Sequence, residues 1–196
     1  MKWIGQRISF LEDKQKSTFV IYPSATTIVK ALMGAWIGMW MVIGISVILY
    51  INHKNFILNE KADVNEQLNI IIFVFLAFWL YYAFKIGRSY FWLLWGKELI
   101  KINETAFVYK RSIKNYGKAT PYYIENIKKM RMHQPKENSL QAVWENSPWV
   151  KGGERMEFDY MGKTIRFGRK LNEKDAKLFF ALLTKKIEER LRKVKN

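Results

Sequence analysis

Apolar residues crowd into two long runs in the first half of the chain. Ile28–Ile51 reads IVKALMGAWIGMWMVIGISVILYI, 24 residues in which Lys30 is the one charge. At 1.5 Å rise per residue that is about 36 Å of helix, enough to cross a hydrocarbon core of about 30 Å with some tilt. The second run, Leu68–Phe84, has 17 residues and makes about 25 Å of helix. A continuation through Ile86–Trp95 brings it to full spanning length. Residues 26–95 are therefore expected to form a transmembrane hairpin, with spans near 28–51 and 68–95 and a short polar connector at 52–67.

Outside the hairpin the pattern changes to short alternating runs. In residues 1–25, Ile4–Leu11 and Ser17–Tyr22 flank Glu12-Asp13-Lys14-Gln15-Lys16, which predicts two strands joined by a five-residue connection and lying against a later sheet. An interfacial segment resting Trp3, Ile4, Ile8, Phe10 and Leu11 on lipid is the competing reading. No apolar stretch with a small-residue cleavage site opens the chain, so it does not resemble a cleavable signal peptide. Pro23 and Ser24 mark the break before the first span.

Residues 96–196 predict an antiparallel sheet closed by a helix. Glu98–Ile102 and Ala106–Arg111 are strands, and Tyr122–Met132 is a third, partly buried one. Gln134–Gly153 reads as a long irregular loop. Arg155–Tyr160 and Lys163–Phe167 then flank Met161-Gly162, a tight hairpin signal. Asn172 is positioned as an N-cap, and Ala176, Phe179, Phe180, Leu183, Ile187, Leu191 and Val194 recur at helical steps. The expected fold class is α+β: a two-helix membrane hairpin followed by an antiparallel domain with a C-terminal amphipathic helix.

Charge orients this arrangement. The chain carries a net +16, and 26 of its 33 Lys and Arg residues lie in 85–196. Residues 1–30 are also basic on balance, whereas the connector is slightly acidic. The positive-inside rule then puts both termini in the cytoplasm and 52–67 on the periplasmic side. Within the spans, Gly34, Gly38 and Gly44 are candidates for helix packing. Gly34 and Gly38 form a small-x-x-x-small pair that admits another helix backbone, from the second span or from a separate membrane protein. Lys85 and Arg88, at the cytoplasmic end of the second span, are expected to snorkel toward headgroups, with Trp92 and Trp95 as further interfacial anchors.

The start Gly96-Lys97-Glu98-Leu99-Ile100-Lys101-Ile102 after a membrane hairpin, together with Phe158-Asp159-Tyr160-Met161-Gly162-Lys163-Thr164-Ile165-Arg166-Phe167-Gly168 and the helix from Asn172, resembles membrane-anchored bacterial pleckstrin-homology-like proteins. The likeness covers roughly residues 28–194, and its motifs are structural. It implies a bacterial inner-membrane location, a strongly bent antiparallel sheet of about seven strands, and no catalytic residues. Five strands are evident after the hairpin, so residues 4–22 are candidates to supply the rest.

Catalytic and metal chemistry find little support in the residues. Cysteine is absent, and His53 and His133 are far apart with no metal-ligand spacing. No HExxH segment or phosphate-cradling glycine loop occurs. The expectation is a non-catalytic protein without cofactor or metal, serving as an accessory or scaffold subunit that binds another membrane protein or itself. The alternative is a sensor of anionic phospholipid headgroups that uses the basic domain. Trp144, Trp149 and Lys151, in the long loop, are the candidate partner or lipid contacts, because tryptophan is enriched at interface hot spots. Nucleic acid is disfavoured, since basic residues interleaved with stacking aromatics on one face are not evident.

Overall fold

The computed structural model describes the backbone of residues 2–13, 15–23, 25–57, 62–133, 139–150 and 152–195, with side chains except those of 54–57, 62–66, 146 and 193–195. The chain divides into two compact units: Thr26–Tyr90, and Met1–Ala25 together with Phe91–Asn196.

The first unit is a helix pair. Helix α1 spans Thr27–Ile57 and α2 spans Ala62–Trp95, the last residues of α2 belonging to the second unit. Both contain a stretch long and apolar enough to cross a membrane by length and composition, Thr27–His53 and Gln67–Trp95. The helices outrun the apolar segments. Asn52–Ile57 and Ala62–Gln67, expected in a polar connector, are helical, because neither contains the Gly or Pro that would break a helix and polar side chains tolerate one in water. The rest of that connector, 58–61, lies outside the described residues. Thr26 caps α1: its hydroxyl accepts from the Val29 N–H at 3.3 Å, and its carbonyl from the Lys30 N–H at 3.1 Å.

The second unit is built on two antiparallel sheets. Strands β1 (Lys2–Ile4), β2 (Ile8–Glu12), β3 (Ser17–Ile21), β4 (Gly96–Ile102), β5 (Ala106–Ile113) and β6 (Ala119–Tyr123) form a six-stranded sheet in that order. β1, β2 and β3 are thus strands of the same sheet as β4, with Phe19 opposite Ile100 and Ile21 opposite Glu98. The first run breaks in two at the turn Gly5–Arg7, where Gly5 has φ +59°. The second sheet is β7 (Ile127–Met132), β8 (Glu154–Tyr160) and β9 (Lys163–Arg169).

Tyr122–Met132 is not one strand. Pro121 sits on β6, the edge of its sheet, where a missing N–H is tolerated. The chain then makes a single tight turn at Ile124–Asn126 and enters the other sheet. Ile124 is buried, and its N–H donates to the Thr105 carbonyl at 3.0 Å. The β8–β9 hairpin closes through Met161 (φ +47°) and Gly162 (φ +77°), the two left-handed residues a type I′ turn needs.

Inward positions of both sheets share one core with helix α4 (Glu173–Lys195). Phe179 of α4 meets Phe19 edge to face at 5.2 Å, and Phe107 meets Phe158 across the sheets at 5.3 Å. Asn172 caps α4, its side-chain oxygen accepting from the Asp175 N–H at 2.6 Å. The loop expected after β7 contains a short helix, α3 (Leu140–Asn146), begun by Ser139, whose hydroxyl accepts from the Ala142 N–H at 3.1 Å. Pro148, Gly152 and Gly153 lie beyond its end, outside any helix or strand.

One end of the six-stranded sheet carries both the last residue of β3 and the first of β4. Ile21, the last residue of β3, pairs with Ile8 and Glu98, and Gly96, the first of β4, pairs with Ile113. The turn Gly5–Arg7, Tyr22, the last residues of α2 and the turn after Ile113 therefore share that end.

Candidate functional site

Glycine sites on α1 decide where α2 lies. Trp79 of α2 packs onto Gly44, where an added Cβ would stand 2.1 Å from the indole ring. Trp40 and Trp79 exchange hydrogen bonds: the Trp40 Nε1–H donates to the Trp79 carbonyl at 3.2 Å, and the Trp79 Nε1–H to the Trp40 carbonyl at 2.8 Å. At Gly34 the nearest group is the Tyr90 hydroxyl, 2.8 Å from an added Cβ. Gly38 differs, since a Cβ there would meet nothing within 4 Å. The three glycines do not act as one stripe. Gly34 and Gly44 receive α2 side chains, and Gly38 leaves open space on α1.

The residues near the end of α2 have different surroundings. Lys85 and Arg88 are exposed, and the Lys85 ammonium stands 5.4 Å from the centre of the Tyr81 ring. Trp95 is half exposed, with the Lys114 ammonium 4.8 Å from its ring centre and the Lys114 N–H donating to the Trp95 carbonyl at 2.9 Å. Trp92 departs from the expected anchor role. It is buried, its ring fills the space left by Gly96, and the Arg169 guanidinium lies 5.4 Å from its centre. An indole covered in this way has no face left for headgroups.

Close to Trp92 is a charge cluster that sequence reasoning missed. Glu98 is 1% exposed. Its Oε2 accepts from the Gly168 N–H at 2.7 Å, and Oε1 lies 3.5 Å from the Arg111 Nε without a hydrogen bond. Burial pushes the Glu98 carboxyl upward from its ordinary value, against the opposing pull of Arg111 and Gly168. Arg111 donates to the Tyr109 hydroxyl at 2.5 Å, to Glu154 at 2.9 Å and to the Arg166 carbonyl at 2.9 Å. Burial, reinforced by the Glu98 charge, also raises Tyr109. The cluster cross-links β4, β5, β8 and β9. A signal was present in the sequence: Glu98 shares an alternation phase with Ile100 and Ile102, so a strand there turns it inward.

Two neighbouring cations organise the loop that carries the tryptophans. Arg169 donates to the carbonyls of Val150 and Gly152, both at 3.2 Å. The Lys170 ammonium donates to Val150 at 3.0 Å and also to Ser147. Burial, with Arg169 adding repulsion, lowers Lys170 to about 8. Arg7 donates to the Tyr22 carbonyl at 3.0 and 2.8 Å and reaches the Lys170 carbonyl as well. Ser147, Val150 and Gly152 are thereby tied to the same end of the sheet as Trp92, Arg7 and Tyr22.

Trp144 lies on α3 and is exposed, whereas Trp149 is half-buried in the tied loop. The two are not equivalent, and Lys151 lies outside the described residues. Among the described residues, no group of three or more His, Asp or Glu side chains is arranged to hold a metal ion. Comparison with protein-family models, curated proteins and solved structures found no match for this chain.

Proposed function

We propose that this chain is an integral membrane protein whose helix pair anchors a pleckstrin-homology-like sheet domain at the cytoplasmic face of a bacterial inner membrane. In this reading it is a non-catalytic accessory or scaffold subunit that binds another membrane protein or a second copy of itself. The observation that carries it is the bareness of the helix pair. Over the most apolar stretches of α1 and α2, 11% and 6% of the residues are buried. Two helices covering so little of each other's surface must be covered by lipid, protein or both. Gly38 supports the protein component, because its open space admits a third helix at close range.

The test is mild-detergent extraction from native membranes followed by affinity purification and mass spectrometry. A stoichiometric membrane-protein partner, or a defined homo-oligomer, is expected, with loss of the complex in Gly38→Leu. Recovery of a lone monomer from the wild-type chain counts against the scaffold reading. Recovery of folded chain from the soluble fraction, without detergent, removes the membrane reading too.

A second reading, anionic-lipid sensing, is favoured by the charge: 26 of 33 basic residues lie in 85–196. Lys and Arg near an anionic leaflet are worth about 1 kcal/mol each. Purified protein that retains anionic phospholipid through delipidating washes, with no protein partner, supports this alternative.

A further inference from the structure

Helix α3 presents apolar side chains to the outside. Leu140, Val143 and Trp144, at i, i+3 and i+4, are 90%, 68% and 61% exposed, and so form one apolar face. The one acid of the helix, Glu145, is turned away from this face. Gln141 donates to it at 2.8 Å, and the His133 ring lies 3.8 Å off. The exposed residues of α3 therefore include no negative charge.

Position indicates what covers this face. The segment following α3 is held by Arg169 and Lys170, and Arg169 lies on Trp92. Trp92 stands three residues before the end of the second apolar stretch, Gln67–Trp95. A residue there lies at headgroup level if the stretch crosses a bilayer. The same end of the sheet exposes further aromatics. Trp3 and Tyr22 are paired at 5.9 Å, Trp95 lies under Lys114, and Tyr116 is exposed. Such rings, apolar in body and polar at one edge, concentrate at membrane–water boundaries. A protein partner would require a complementary pocket, whereas a headgroup layer accepts a short uncharged wedge beside exposed Trp and Tyr.

We infer that α3 is an interfacial wedge. Its Leu140, Val143 and Trp144 face inserts into the headgroup–acyl boundary of the leaflet from which α2 emerges. Arg169 and Lys170 set its depth by fixing the following loop to the end of α2. This inference rests on the membrane reading above and deepens it by naming a second, monotopic contact with the bilayer.

The chain has no cysteine, so single cysteines can be labelled uniquely in the full-length protein reconstituted in phosphatidylcholine–phosphatidylglycerol vesicles. An environment-sensitive fluorophore at Val143→Cys reports the wedge. One at Ile71→Cys, exposed on α2, reports the span, and one at Glu104→Cys, at the opposite end of the sheet, reports solvent. Leu140→Cys is a second wedge position should labelling at 143 disturb α3. The wedge labels should be quenched by spin-labelled lipid carrying its group near the headgroup and show several-fold less iodide quenching than the Glu104 label. Iodide quenching of both wedge labels equal to that at Glu104, with Ile71 quenched only from lipid, overturns the wedge and leaves the anchor standing. Protection of the wedge labels from both quenchers indicates protein docking and also overturns it. Iodide access at Ile71 overturns the anchor and the wedge together.

Discussion

Trp40 and Trp79 each donate an indole N–H to the other's backbone carbonyl, at 3.2 and 2.8 Å. On the membrane reading proposed above, an indole donor without a partner is costly, and each tryptophan here satisfies the other across the helix pair. Interhelical hydrogen bonds in membranes are worth about 0.6–2 kcal/mol. Trp40→Phe and Trp79→Phe should each lower the thermal stability of the detergent-solubilised protein by an amount in that range. A double-mutant cycle should give a non-additive remainder, because the two bonds share one packing arrangement.

The glycines should respond unequally. Gly44→Ala drives a Cβ to 2.1 Å from the Trp79 ring, an overpacking expected to cost about 1–3 kcal/mol. Gly38→Ala meets open space and should leave monomer stability unchanged. Thermal melts in detergent distinguish the two. Equal losses would mean that α1 and α2 meet along the whole glycine row.

Glu98 makes stability pH-dependent in a stated direction. Its carboxyl is raised in the fold, so the folded protein holds a proton that the unfolded chain releases near the ordinary value of 4.5. The corresponding stability is fully present below that value and is lost as pH rises through the folded pKa. Glu98→Gln, which keeps the bond from Gly168 and carries no charge, should flatten this decline. Urea unfolding of the solubilised protein at rising pH, begun below the ordinary carboxylate range, reads it in both variants.

Lys170 acts in the opposite direction. Its ammonium is lowered to about 8 from 10.5. The contribution is present above the unfolded value and is lost as pH falls through about 8. Stability should therefore rise between these values in the wild type, and Lys170→Met should lose that rise while keeping the Glu98-dependent slope.

Arg169→Ala removes the guanidinium over Trp92 and two carbonyl contacts. The expected cost is about 2 kcal/mol, from a cation–π contact and charge-assisted hydrogen bonds. Limited proteolysis should then cut within 139–153 faster than in the wild type, with a red shift of tryptophan emission as Trp92 is uncovered. Unchanged cleavage would show that the loop holds itself.

Local pattern was enough wherever a residue's environment is set by its near neighbours. Two unbroken apolar runs dictate two long helices. Alternation marks a strand at Glu98–Ile102, Met161-Gly162 dictates a tight turn, and Asn172 starts a helix because its side chain reaches an N–H only three residues away. Tertiary structure decided what depends on residues distant in the chain. Strands before the helices complete a sheet begun after them, because β3 finds β4 across an insertion of both helices. Trp92 changes from candidate headgroup anchor to buried ring because it fills the space at Gly96 and Arg169 folds over it. Gly38 stays open while Gly34 and Gly44 are filled, since helix crossing, which periodicity does not encode, sets which small residue meets a large one. Glu98 lies between these cases: its phase in the strand turned it inward, but its neighbours there, Arg111 and Gly168, were brought by the fold.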